Sequence, residues 1–380
     1  MELVRFLQED LGAQEFPAKR ALLRAAPYHL EIREEDDLYN VMYSEMSPGI
    51  HEWAPIKNCV GTILQQGTDT LVSYAFDRTT EVVVDIDKNA ELIPEDVSCY
   101  TFRKYVEGVK MTLYWHGGRW RRSTNRMIDA SKAFWKSNRS FGDQFMDACR
   151  AYPVILRQIE DDSEDGPLTA GLTYIFVLST PEVDMVNGVG ESSLLHVGTY
   201  DMRSYCHIEC DVGVPIQETS SFSTRDDVLA AMALMDHHSP GYIATGPKRF
   251  KIFSSAYAYA RDLMGSSSDD IGNYLRIRRD AKTRSDYLHF YPKHVAMADR
   301  LEHELWLTAR VVHHLYVHYF ILHEERPALP KSLYITLLQI HGEYVRSRAK
   351  RSLMDIYRHI DMLPEHVQRA LIAICMAPAL

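Results

Sequence analysis

Long apolar runs are missing from this chain. No stretch approaches the roughly 20 consecutive apolar residues that a bilayer-spanning helix needs, and the C-terminal LIAICMAPAL reads instead as a final packed helix. No membrane partner is therefore expected. Cysteine is scarce as well. Six residues (Cys59, Cys99, Cys149, Cys206, Cys210 and Cys375) are scattered without a CxxC unit, which excludes a disulfide framework and suits reduced thiols in a cytosol-like compartment. The closest set, Cys206, His207 and Cys210, has no matched second pair to complete the four ligands of a structural zinc. Internal repeats, low-complexity tracts and a secretory leader are also lacking. The first residues, MELVRFLQEDLGAQEF, form a charged amphipathic segment.

The 380 residues that remain suffice for two domains with a sizeable core, and their net charge is -10. That charge is uneven. Residues 116–139 carry seven Lys or Arg against Asp129 alone, and residues 241–285 carry nine against four Asp. Acids gather at Glu34–Asp37 and Glu160–Asp165. A charge run is usually a solvated face. Two basic clusters on an acidic protein also suit a groove that follows phosphates.

The richest stretch is FRKYVEGVKMTLYWHGGRWRRSTNRMIDA, Phe102 to Ala130. Val106, Val109, Met111, Leu113 and Tyr114 predict a strand, Gly117-Gly118 a hairpin turn, and Trp120 to Thr124 a second strand. A lysine, a carboxylate and a glycine (Lys104, Glu107, Gly108) precede the hairpin. An amine can attack phosphorus once its pKa falls, and a glycine admits close approach of a nucleotide. An amphipathic hairpin with a solvated basic edge is the plainer reading. Elsewhere, residues 2–11 and 18–26 predict short helices, CVGTILQ and TLVSYAF predict strands joined at Gly67-Thr68-Asp69, and Ser140 with Asp143 predicts a capping box. Glu31 to Ser47 is an acidic connection without a clear element. Residues beyond Pro292 are patterned as helices: one long segment through HVAMADRLEHELWLTARVVHHLYVHYFILHEE, broken by Pro327 and Pro330, then shorter ones. His314 and His318, one turn apart, read as packing or surface residues.

From about Lys57 to Asp262 the ordered blocks resemble the phage-type RNA ligase family, within the superfamily of DNA ligases, RNA ligases and mRNA capping enzymes. The resemblance implies an α+β fold: a nucleotidyltransferase domain of antiparallel sheets with helices over residues 1–285, then an all-α domain over 286–380. It also implies ATP and Mg²⁺ as cofactors if the protein is active, RNA as partner, and a place in the cytoplasm of a host cell or in a virion. Aligned on Gly108, Glu107 takes the motif's acid position and Lys110 its basic position, while the nucleophile position falls on Tyr105, one residue after Lys104. Lys104 is the candidate nucleophile provided a bulge restores its direction. Glu107 and Lys251 complete the candidate catalytic set. Gly108, Lys110, Phe176, Lys248 and Arg249 are the candidate nucleotide-binding residues, and Arg119, Arg121, Arg122 and Arg126 the candidate RNA or phosphate ligands; no metal ligand is assigned. Four family charges are replaced, by Val60, Val177, Pro240 and Phe253. The expectation is a ligase-fold protein with a degenerate site that binds RNA or serves as an interaction subunit. The competing readings are an active ATP-dependent RNA ligase acting through Lys104, and a guanylyltransferase of the capping type.

Overall fold

The computed structural model describes residues 2–12, 14–43, 55, 59–76, 79–84, 89–183, 185–265, 269–324 and 328–377. Lys57, Pro327 and the centre of the Gly265–Asp270 serine-rich loop lie outside them. Contacts divide the chain into Met1–Tyr259 and Ala260–Leu380. The division falls earlier than the expected boundary at 285, because the segment from residue 260 onward is already built into the helical unit: the Tyr291 hydroxyl donates to Ala260 O at 2.8 Å.

In the first unit the strands run in chain order: β1 (Leu30–Glu35), β2 (Leu38–Tyr43), β3 (Ile63–Gln65), β4 (Leu71–Ser73), β5 (Thr80–Val84), β6 (Thr101–Lys104) and β7 (Val109–His116). There follow β8 (Arg119–Thr124), β9 (Leu172–Ser179), β10 (Ser193–Asp201), β11 (Cys206–Ile208), β12 (Thr219–Ser220), β13 (Gly241–Thr245) and β14 (Arg249–Ser254). Three sheets result, ordered β1-β2-β3-β4, β11-β10-β9-β7-β8 and β12-β6-β13-β14-β5. All pairings in named strands are antiparallel except β14 with β5. The fold is thus mixed α+β with antiparallel sheets, followed by helices.

The expected hairpin is β7–β8. Gly117 and Gly118 both take positive φ (62° and 76°), the backbone that a two-residue turn requires and a Cβ would resist. The segment Glu31–Ser47, left unassigned by its sequence, holds a second hairpin, β1–β2, turning at Asp36-Asp37. Its second strand hid because nearly all its side chains are buried, so the alternation that marks a half-exposed strand is missing.

Helices α1 (Glu2–Arg5) and α2 (Phe16–Arg24) pack on the first sheet through Leu3, Val4 and Leu23. Helices α3 (Phe141–Cys149) and α4 (Pro153–Glu160) cover one face of the second sheet, with Phe145, Ala148 and Ile155 against Met111, Phe176 and Leu178. The Ser140–Asp143 capping box is formed in both directions. Helix α5 (Arg225–Ala233) covers one face of the third sheet with Val228 and Met232.

The chain then continues as α6 (Ser255–Met264), α7 (Asp270–Ile277), α8 (Ala281–Phe290), α9 (Val295–Tyr316), α10 (Lys331–Ser347), α11 (Leu353–Met362) and α12 (Glu365–Cys375). Leu301, Leu305, Val312 and Tyr316 form the buried stripe of α9 at helical spacing. The basic run at 276–284, which reads as a connector, is folded into α7 and α8. Arg278 is buried and bonds Glu302 (2.7 Å), Asp361 and the Tyr357 hydroxyl (2.7 Å), so it holds helices together rather than tracking phosphates. His314 and His318 lie with ring centroids 4.1 Å apart, and His318 Nδ1 bonds Glu324 at 2.6 Å. No described helix is long and apolar enough to cross a membrane.

Candidate functional site

Cross-strand partners share a sheet face and neighbours along a strand alternate, so the registers decide which candidates meet. In the third sheet Arg103 pairs with Ile243, Ile243 with Lys251 and Lys251 with Glu81. These four share a face, and Arg249 joins them two residues from Lys251. Lys104 pairs with Tyr242, which pairs with Ile252, which pairs with Val82. That face packs on α5. The register of β6 on β13 is continuous through Lys104, without the bulge that would turn its side chain. Lys104 and Lys251 therefore point to opposite sides of one sheet. The Lys104 amine instead meets Glu218 Oε2 at 2.5 Å, and that hydrogen bond raises its pKa, away from what a nucleophile needs.

Other positions assemble differently. In the second sheet Lys110 pairs with Val177 and Val177 with Leu195 on one face, while Met111, Phe176 and His196 occupy the other. Phe176, expected against a nucleotide, is fully buried in the core under α3, edge-on to Phe145 at 5.6 Å. The Lys110 face turns toward the Lys251 face. Between them lies Phe76, buried just beyond β4. The Arg249 guanidinium carbon sits 3.3 Å from its ring centroid and the Lys110 amine 6.0 Å away. Lys251 donates to Glu81 Oε1 at 3.0 Å and lies 5.9 Å from the Tyr105 ring. Burial, followed by the repulsion of Arg249 and Lys251, lowers the Lys110 pKa to about 7. Lys110 is partly exposed as a residue, but its amine is held inside this trough.

Gly108 stands at the trough's end. A Cβ there would meet Leu178 O at 2.5 Å and Val177 Cγ1 at 2.7 Å, so only glycine lets the β6–β7 turn lie against β9. Beside it, Glu107 accepts from the Asn187 backbone N–H at 3.2 Å, and its carbonyl accepts from Ser179 Oγ at 2.7 Å. Lys248 is exposed at the turn between β13 and β14.

Beside the trough lies a cleft of about 730 Å³ lined by Thr101, Arg103, His196, Gly198, His207 and Gln217, among others. Gly198 permits the junction, since a Cβ would come within 2.8 Å of Phe76 Cζ and 3.2 Å of His207 Nε2. Burial and then Arg103 lower the His207 pKa, which favours a neutral imidazole. Sequence reasoning missed Phe76, Glu81 and Arg103, and singled out His207 only as a member of the Cys206–Cys210 cluster. Arg103 had a usable signal: it lies two residues before Tyr105 on a strand and so shares its face.

Of the four arginines of the basic run, Arg119, Arg121 and Arg122 line one cavity of about 390 Å³ at the β8 edge, together with Glu35, Asp129 and Glu160, while Arg126 does not. Arg119 and Arg121 both donate to Asp36 Oδ2, at 3.3 and 2.9 Å. Arg122 pairs across β7 with Leu113, on the opposite face beside Cys149. Arg126 lies past the end of β8, its carbonyl accepting from Arg33 and Asn40.

A divalent ion is implied by the family resemblance, but the donors do not fit one. Its carboxylate position is Pro240, Glu81 is engaged by Lys251, and no three metal-ligating side chains converge among the described residues. The same holds for Cys206, His207 and Cys210.

No family model matches the chain. A curated protein, the immediate-early protein ICP-46 of Frog virus 3 (isolate Goorha), is 27% identical over 124 residues, covering 30% of this chain and 31% of that protein. Among solved structures, a variant of the Naegleria gruberi RNA ligase with ATP and Mn is 11% identical with a TM-score of 0.31, covering 43% of this chain and 52% of that one. An archaeal ATP-dependent RNA ligase is 11% identical with a TM-score of 0.43, covering 79% of this chain and 76% of that one. The chain thus spans about a third of the curated relative and about half of the Naegleria structure.

Proposed function

We propose that this protein is an RNA-ligase-like nucleotide binder whose trough holds the phosphates of a nucleotide or an RNA end without covalent transfer through Lys104. The observation that carries this reading is the meeting of Lys110 with Arg249 and Lys251 around Phe76, on facing sides of two sheets. Fixed cations in a partly dry site bind a polyphosphate more strongly than the same cations in water. The base of the nucleotide would enter the adjoining cleft, where Arg103 and Gln217 offer donors and the His207 imidazole a polar edge. The sequence blocks around Gly108, Gly241 and Lys251 support the same reading. So does the replacement of family charges by Val177, Pro240 and Phe253: phosphoryl transfer depends on such charges for transition-state stabilisation. A role in a virus is part of this reading, supported by the stretch shared with the Frog virus 3 protein.

Calorimetry with ATP, together with incubation with α-³²P-labelled ATP or GTP and Mg²⁺ or Mn²⁺, tests it. Reversible binding that Lys251→Ala and Arg249→Ala weaken, without a labelled protein band, is the expected result. Absence of binding, or a band lost in Lys104→Ala, overturns it.

One observation favours a second reading. Lys110 is the amine in the trough whose pKa falls to about 7, so a large share is uncharged and nucleophilic at neutral pH. In that reading its nitrogen bonds the α-phosphorus, pyrophosphate leaves with the electron pair of the broken P–O bond, and the amine proton passes to solvent. A labelled band that survives Lys104→Ala and Tyr105→Phe but not Lys110→Ala would establish it.

A further inference from the structure

The tip of the β1–β2 hairpin is seated on the tip of the β7–β8 hairpin, acid against base. Asp36 Oδ2 accepts from Arg119 and Arg121. Both carboxylate oxygens of Asp37 accept from His116 Nε2 at 3.0 Å. Glu35 Oε1 accepts from Lys132 at 2.5 Å. Three consecutive acids thus cover Arg119, Arg121 and Lys132 together with the His116 imidazole, side chains that come from β7, β8 and the short 3-10 helix Ala130–Lys132. The acids project from a two-residue turn whose first residue, Asp36, has φ 54°, a conformation that aspartate tolerates better than most residues.

We infer that this cationic tip is a binding surface for the phosphate backbone of single-stranded RNA, and that the Glu35–Asp37 turn occupies it in the free protein. Carboxylates on a short turn present anionic oxygens to guanidinium groups much as backbone phosphates do. The contacts can be exchanged. Asp36 is 55% exposed and Arg119 54% exposed, and a pair so hydrated binds weakly and is screened by salt; Arg121 is more covered, at 14%, but its carboxylate partner is the same hydrated Asp36. Phosphates arriving in series can replace them and release counterions as they do so. The surface is separate from the trough, so it stands or falls independently of nucleotide binding there.

The test measures binding of a fluorescent single-stranded RNA of about 20 nucleotides across a salt series. It uses the full-length wild type, Asp36→Asn with Asp37→Asn, and Asp165→Asn with Asp161→Asn as a control of equal charge change. Uncovering the two arginines should tighten binding at low salt and steepen the slope of log K against log salt by about 0.7 per arginine, or about 1.4 in all. Adding Arg119→Ala and Arg121→Ala to the uncovered variant should reverse both changes. Circular dichroism of each variant verifies that it is folded. Binding unchanged or weakened on uncovering overturns the inference. An equal gain in the control also overturns it, because the effect would then be one of net charge. ATP calorimetry on the same variants keeps this result distinct from the trough, whose affinity should not change.

Discussion

The two concentrations of positive charge in this protein are built in opposite ways. At the hairpin tips the basic side chains are numerous and mostly adjacent in sequence; Arg119 and Lys132 are exposed while Arg121 and His116 are largely covered, and each of the four bonds a carboxylate. In the trough Lys110, Arg249 and Lys251 come from two strands of different sheets and lie close enough to lower the pKa of Lys110. The lesson is that density of charge along a chain says little about charge available to a ligand. The dense run is largely spent on its own protein, while the sparse set is gathered by folding and carries its mutual repulsion as a cost.

That contrast can be broken most directly through stability. Lys110 has a folded pKa of about 7 against 10.5 for a free lysine, so between those values the unfolded chain binds the extra proton and stability rises with pH. Lys110→Met should therefore stabilise the protein at pH 7 by roughly 2 kcal/mol, a figure discounted for the residue's partial exposure. The gain should shrink toward pH 10. Arg119→Met, at the exposed tip, should shift stability by less than about 1 kcal/mol in either direction. Urea unfolding at pH 7 and pH 9.5 measures both, and equal effects would erase the distinction.

Binding sharpens it next. Arg249→Ala and Lys251→Ala should each weaken ATP about tenfold or more, the value of a charge-assisted bond, whereas Arg119→Ala should leave ATP affinity unchanged in calorimetry. A smaller effect concerns pH. From pH 7.5 to 9 the nucleotide's own charge is nearly constant while Lys110 loses its remaining proton, so wild-type affinity should decline and that of Lys110→Met should stay level. The smallest effect belongs to the tip. Asp36→Asn should cost under about 1 kcal/mol of stability at low salt, and the difference should vanish near 1 M salt, where the Debye length is about 3 Å.

Much of the fold was legible because local chemistry dictated it. Gly117-Gly118 with flanking β residues gave the β7–β8 hairpin, Ser140 with Asp143 gave the start of α3, and the apolar spacing gave α9. The site was legible only in part. Lys110, Arg249 and Lys251 could each be named from the sequence, but their convergence depends on two registers that no local pattern records. Phe76 was invisible because a phenylalanine after a short strand looks like any core residue. Lys104 shows the converse failure: its residue type suited the chemistry, and a single step of strand alternation put it on the α5 side of the sheet. The acidic cluster at Glu34–Asp37 and the basic run at 116–139 are both visible in the sequence, yet their pairing bridges 79 to 97 positions of chain and could only be seen in three dimensions.

The Lys251 amine lies 5.9 Å from the Tyr105 ring, which places that ring on the trough's wall. Tyr105→Lys would put a primary amine into the field that lowers the pKa of Lys110. One substitution would thus supply the trough with a second candidate nucleophile, while adding no carboxylate that could hold a metal ion.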